Sequence, residues 1–176
     1  TSQHKLSTSW DKGNGYRFNT GFQNLKFGYQ GDYEINEAND LKSFIGFIDN
    51  DFGANAFYAA PGDKNSHERV QTFIGILQSE HQLSDNWSLL PRLSYRYNFD
   101  DYRYLGRSQL NVARSKHYTH SYGAEVHASY QSSIGTLSLG TEIRKEQINS
   151  SNIGERERYN SGLYAQIKSS PWEKVD

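Results

Sequence analysis

Between Trp87 and Phe99 the chain alternates strictly in twos. Trp87, Leu89, Pro91, Leu93, Tyr95, Tyr97 and Phe99 fall on one side; Ser88, Arg92, Ser94, Arg96 and Asn98 fall on the other, with Leu90 as the apolar exception. A period of two held over this length dictates a β-strand, and one about twice the usual length of roughly 5–6 residues. One row is aromatic and apolar, and the opposite row carries arginines. A long strand with one greasy face and one wet face is what a β-wall crossing a bilayer requires.

The same period recurs along the chain. Lys5 to Trp10 reads as the end of a first strand, and Leu25, Phe27, Tyr29 and Tyr33 mark a second. Leu41 to Ile48 is a less clean third, because Phe44 and Ile48 fall on the other face. Val70, Thr72, Ile74 and Ile76 mark a fourth, and Trp87 to Phe99 is the fifth. Tyr122 to Tyr130, Leu137 to Ile143 and Tyr159 to Ile167 supply three more. Helical periodicity is not sustained anywhere, so the expected class is all-β: an antiparallel up-and-down transmembrane β-barrel with about eight strands present, as part of a larger barrel.

The connections carry a second signal. Asn36 to Asp40, Ser84 to Asn86, Ser132 to Gly135 and Ser169 to Pro171 are short and built of turn residues. Lys12 to Gly21, Asp51 to Ser66, Asp100 to Tyr118 and Asn149 to Arg158 read as long and polar. Strict alternation of long and short trims one end of a meander and elaborates the other, the pattern of outer-membrane barrels. In a β-sandwich, strands are shorter and turn signals come every 8–12 residues or so.

Composition narrows the classes further. Mean hydropathy is −0.87, and no apolar run approaches the roughly 20 residues of a membrane helix. Alternation averages a barrel toward the hydropathy of a soluble protein, so a strand-built span stays open. Nineteen basic and twenty acidic side chains nearly cancel, which gives no reason to expect nucleic acid as a partner. The lack of cysteine removes disulfides and thiolate metal sites. Thirteen tyrosines suit a bilayer interface, where the ring is buried and its hydroxyl stays wet. The chain starts at Thr1 without an export signal, so the expectation is mature or excised material. Residues 1–176 then form one β-barrel wall segment with no plug domain. A complete small eight-stranded outer-membrane barrel with a structural or adhesive role, and a soluble lipocalin-like binding barrel, are the alternatives.

Several short motifs resemble one family. Asp51-Phe-Gly-Ala-Asn-Ala-Phe-Tyr58, in a connection between two barrel-like strands, resembles a segment of TonB-dependent outer-membrane receptors, closest to their cobalamin-receptor-like branch. Asp101-Tyr-Arg-Tyr-Leu105 with Arg107, Tyr122-Gly-Ala-Glu125, Ser133-Ile-Gly135 with Gly140, and Ser151-Asn-Ile-Gly154 continue the likeness in order. It runs from about residue 12 to the end. The resemblance implies a barrel of about 22 strands filled by a plug domain, in the bacterial outer membrane. It also implies uptake of a scarce nutrient complex, cobalamin- or siderophore-like, bound at the outside loops. The partners implied are the lipid bilayer, the plug, the nutrient ligand and the TonB energy complex. A complete barrel of this kind ends on a strand with a terminal aromatic, whereas this chain stops at Trp172-Glu-Lys-Val-Asp176.

The candidate site residues follow from that frame. Phe52, Asn55, Phe57 and Tyr58 are candidates for ligand contact, since rigid aromatics in a small-residue loop offer contact area at low entropic cost. The alternative is that the rings pack the loop onto its neighbours. Arg92, Arg96, Glu142 and Arg144 are expected to face the lumen, with Arg92 and Arg96 laddering against Glu142 and Glu146 if the strands approach. His117, His120 and His127 do not share one face by parity and read as solvated. The pairs Asp49/Asp51 and Asp100/Asp101 suit either calcium or simple solubility. No catalytic motif is legible, so no enzyme, no cofactor and no metal is expected.

Overall fold

The computed structural model describes residues 1–56, 64–105 and 112–169. The chain forms β1 (Ser2–Gly13), β2 (Phe22–Asn36), β3 (Asn39–Gly53), β4 (His67–Gln82), β5 (Trp87–Leu105), β6 (Val112–Ser132), β7 (Gly135–Ser150) and β8 (Gly154–Lys168). All pair antiparallel with their sequence neighbours in one eight-stranded sheet ordered β1 to β8. The all-β up-and-down meander read from the alternation is the fold. Among the described residues β1 pairs only with β2 and β8 only with β7, so both edges of the sheet are open.

Local chemistry explains the joints. Asn36 Oδ1 accepts from the Ala38 N–H at 3.0 Å and from Asn39 Nδ2 at 2.7 Å, closing the β2–β3 turn with an Asx bond. At the β6–β7 turn the Ser132 hydroxyl donates to the Gly135 carbonyl at 2.9 Å, and Gly135 takes φ 145°. Pro91 has no N–H to donate. The β4–β5 ladder accordingly runs from His67↔Arg103 to Gln78↔Arg92, skips Ser79 and Glu80, and resumes at His81↔Leu89.

The strands overrun the connections expected from sequence. Phe52 is a strand residue of β3, not a loop residue, and β5 and β6 run on to Leu105 and from Val112. The stretch read as a long polar connection from Asn149 to Arg158 is instead a tight turn over 151–153 followed at once by β8. Ser150 Oγ accepts from the Asn152 and Ile153 N–H groups at 3.1 and 3.2 Å, and Gly154 follows at φ 70°. The other long and short connections alternate as expected over the described part of the chain.

Candidate functional site

Registration decides what each face carries, because residues directly opposite in a ladder share a face. On one face the rungs read Trp87–Tyr130–Leu137–Ile167, then Leu89–Ala128–Leu139–Ala165, then Leu77–Leu93–Ala124–Ile143. Above them lie Tyr95–Tyr122 and Phe73–Tyr97–His120, then Phe99–Tyr118. The aromatics form a connected layer. Tyr95 bonds His120 Nδ1 through its hydroxyl at 2.9 Å, and ring centroids lie 5.1 Å apart for Tyr97–His120 and 5.0 Å for Phe99–Tyr118. A second aromatic pair, Trp87–Tyr130 at 4.9 Å, bounds the apolar band at the short-turn end.

Among the described residues nothing covers this face. Leu93 is 59% exposed, Leu139 46% and Val126 38%. Among the described residues Ala54 is the buried apolar side chain, and it lies in a loop. A water-soluble barrel would bury these rows against one another; here they stand exposed.

On β5 to β8 the opposite face is polar and charged, and it holds all four charged candidates. On β3 and β4 the same face carries Phe44, Ile48, Ile74 and Ile76. The apolar row expected on β4 from Val70 to Ile76 therefore lies on the charged side rather than with the other apolar rows. Arg92, Arg96, Glu142 and Arg144 share it with Glu125, Glu146 and Arg158. The expected ladder is corrected in its partners. Arg92 lies directly across from Glu125 at 3.9 Å, because β6 stands between β5 and β7. Arg144 Nη2 donates to Glu142 at 2.6 Å, and Arg158 pairs with Glu146. Glu125 also meets His127 Nε2 at 3.5 Å, and His127 Nδ1 bonds the Tyr164 hydroxyl. Tyr164 reaches it by lying over Gly140, where a Cβ would strike the ring. The chain Arg92–Glu125–His127–Tyr164 thus crosses four strands.

At the long-connection end of this face, Thr72 donates to Asn98 at 2.7 Å and His117 Nδ1 meets Ser150 Oγ at 2.8 Å. Asp100 lies between Val70 and His117 in the ladder. Its neighbour Asp101 points to the other face, and the two aspartates titrate apart. Burial pushes Asp100 above the usual carboxylate range. Hydrogen bonds from Arg114 foremost, with Arg103, hold Asp101 down at about 2. Both lie past Phe99, beyond the apolar band and outside any membrane-spanning part of their strand.

Parity reads correctly for the histidines. His117 and His127 share the polar face but sit about 33 Å apart along their strand, and His120 is on the apolar face. Among the described residues no three His, Asp or Glu side chains are grouped to hold a metal ion. Asp49 is tied to Arg69 Nη2 at 2.6 Å and Asp51 to His67 at 2.7 Å.

The loop candidates part company. Phe52 lies on the polar face in β3, across from Phe22 and Glu68. Asn55 ties two connections together: its Nδ2 donates to the Phe18 carbonyl at 2.6 Å, while Asn19 Nδ2 donates to the Ser66 carbonyl at 2.6 Å. Ala54 N–H donates to the same Ser66 carbonyl at 2.8 Å. Phe57 and Tyr58 lie outside the described residues, as does Arg107. Sequence reasoning missed the Asn19–Ser66 tie, whose one sequence signal is an asparagine able to take the φ of 51° found at Asn19.

No family model matches the chain, and no curated protein matches it. Among solved structures it superposes on the copper transporter OprC with a TM-score of 0.56 at 10% sequence identity, over 96% of this chain and 37% of that one. The chain shares the fold of a part of that protein. At this identity the likeness is one of fold alone. It spans little more than a third of the solved chain it resembles, and the eight-strand run is matched nearly end to end.

Proposed function

We propose that this chain is a wall section of a TonB-dependent receptor in the bacterial outer membrane, with the apolar face against lipid and the charged face lining the lumen. The observation that carries this reading is the sorting of side chains by register on β1, β2 and β5 to β8; on β3 and β4 apolar side chains stand on both faces. Rows from Trp87 to Phe99 cover about 40 Å along a strand. At a tilt near 45° this becomes about 28 Å of membrane thickness, close to the roughly 25 Å apolar band of such barrels. Aromatic layers bound that band at both ends, as they do at bilayer interfaces. A shallow apolar hollow of about 590 Å³ on this face, lined by Val126, Ala128, Leu139, Leu163 and Ala165 among others, has the character of acyl-chain contact.

The open edges of β1 and β8 support a section rather than a closed object, since unpaired backbone groups cannot stand in hydrocarbon. In the parent, further strands pair with both edges, and a plug domain lies against the face carrying Arg92, Arg96, Glu142 and Arg144. The ligand is a scarce nutrient complex, cobalamin- or siderophore-like, first met by the connections around 14–21 and 54–66, and the TonB energy complex drives plug rearrangement to admit it. The copper carried by the similar transporter is that protein's cargo. Arg92, Arg96 and Arg144 on the polar face suit an anionic complex better than a bare cation.

Folding into detergent tests the reading. The complete parent protein gives a compact band that shifts on heating, whereas residues 1–176 alone give none. A heat-shifting band from the isolated chain overturns the section in favour of a self-closed small barrel, and a detergent-free soluble monomer overturns the membrane reading.

A further inference from the structure

Just past the upper aromatic layer, still on the apolar face, acids and bases sit at different depths. The Asp101 side chain is 5% exposed, whereas those of Arg103 and Arg114 are 47% and 42% exposed. Arg103 and Arg114 stand directly across from each other in the β5–β6 ladder. Like charges so placed repel unless an anion lies between them. Asp101 supplies that anion from beneath, accepting from Arg114 Nε and Nη2 at 2.6 Å each and from Arg103 Nη2 at 3.2 Å. This uses two of Arg114's N–H groups and one of Arg103's, of five on each guanidinium. Lys116 lies directly across from Asp101 and makes no ion pair among the described residues. Arg69, across from Asp101 on the other side, is held by the more buried Asp49. Asp51, farther along the same rung, is 45% exposed and paired with His67 at 2.7 Å. Arg103, Arg114 and Lys116 therefore show donors to their surroundings above the buried carboxylate of Asp101.

We infer that Arg103, Arg114 and Lys116 form a cradle for the phosphate of an anionic lipid headgroup in the outer leaflet. The inference rests on the lipid-facing reading proposed above. The position selects an amphiphile over a soluble anion. A phosphate held here would place its acyl chains down the same face, past Phe99 and Tyr118 toward Leu93, Ala124 and Val126. Fixed arginine pairs over a buried carboxylate suit phosphate geometry, and basic residues at a membrane surface attract anionic lipid.

The test uses the complete protein in nanodiscs of phosphatidylcholine, alone or mixed with diphosphorylated lipid A or with the same lipid A stripped of its phosphates. Lipid retained through detergent washing is counted by native mass spectrometry. The phosphorylated form is retained and the stripped form is not. Arg103→Gln and Lys116→Gln each lower retention about fivefold, and both leave the Arg114–Asp101 pair in place. Equal retention of the two forms overturns the cradle, as does retention unchanged in both variants. Binding of inorganic phosphate as tight as that of the lipid overturns the commitment to lipid. Insertion into pure phosphatidylcholine without selective retention sinks the cradle but leaves the wall reading standing; failure to insert sinks both.

Discussion

Gly140 and Tyr164 face each other across β7 and β8, and the tyrosine ring lies where a glycine Cβ would otherwise be. The missing side chain lets the ring lie flat enough for its hydroxyl to reach His127 on β6. Replacement Gly140→Val expels the ring and breaks that bond, with a cost of about 2 kcal/mol. Tyr164→Phe keeps the cover and loses only the hydrogen bond, about 1 kcal/mol. Urea unfolding of the refolded protein ranks the two; equal costs would show that ring cover contributes nothing.

Asp101 gives the wall an acid-sensitive joint. Its folded pKa of about 2 lies below the ordinary 3.8, so the folded state binds its proton less readily than the unfolded chain does. The stability this contributes is complete above about pH 4 and is lost as pH falls toward 2. Asp101→Asn flattens the acid limb of the unfolding curve and lowers neutral-pH stability by about 2 kcal/mol, leaving Arg103 and Arg114 face to face. An unchanged acid limb in the variant contradicts this assignment.

The tie between the first and third connections is local. Asn55→Ala removes the bond to the Phe18 carbonyl, and Gly53→Ala drives a methyl group into Asn19. Each costs about 1 kcal/mol of local stability and speeds amide exchange across residues 14–21 without altering exchange in β5 and β6. Faster exchange spread evenly over the sheet would mean that the tie is not a separate unit.

Much of the fold was legible because a two-residue period is a direct record of a two-faced strand. The irregular reading of β3, with Phe44 and Ile48 on the second face, matches their pairing with Ile76 and Thr72. That pairing, however, places the apolar row of β4 on the polar side, against the phase of the other strands. Boundaries were less legible. Ser150-Ser-Asn-Ile-Gly154 carries turn chemistry, but the polar residues after it mimic a loop, and only the ladder Asn149↔Glu155 to Gln147↔Glu157 reveals strand. Partners on the polar face were illegible in principle. An up-and-down order puts β6 next to β5, yet which residue of β6 meets Arg92 depends on the register of the ladder, and side-chain type does not encode that. Phe52 shows the same limit, since a residue at a strand end becomes loop or wall according to its neighbour's length.

The two faces differ in what they tolerate. An arginine at Leu93, near the middle of the apolar band, costs about 2–4 kcal/mol in a lipid-embedded barrel. The same residue at Ser94, among Arg92, Gly123 and Arg144 on the other face, costs less than about 1 kcal/mol apart from charge repulsion. Unfolding from lipid vesicles separates the two, and equal penalties would deny the apolar face its lipid.

Single spin labels placed in turn from residue 92 to 99 of the complete protein in a bilayer, with any cysteine outside residues 1–176 replaced, test the central claim most directly, since this stretch contributes none of its own. Labels at Leu93, Tyr95 and Tyr97 should collide with dissolved oxygen and be shielded from a water-soluble nickel complex, and labels at Ser94, Arg96 and Asn98 should show the reverse. A profile without the two-residue swing, or one with its phase inverted, contradicts the account.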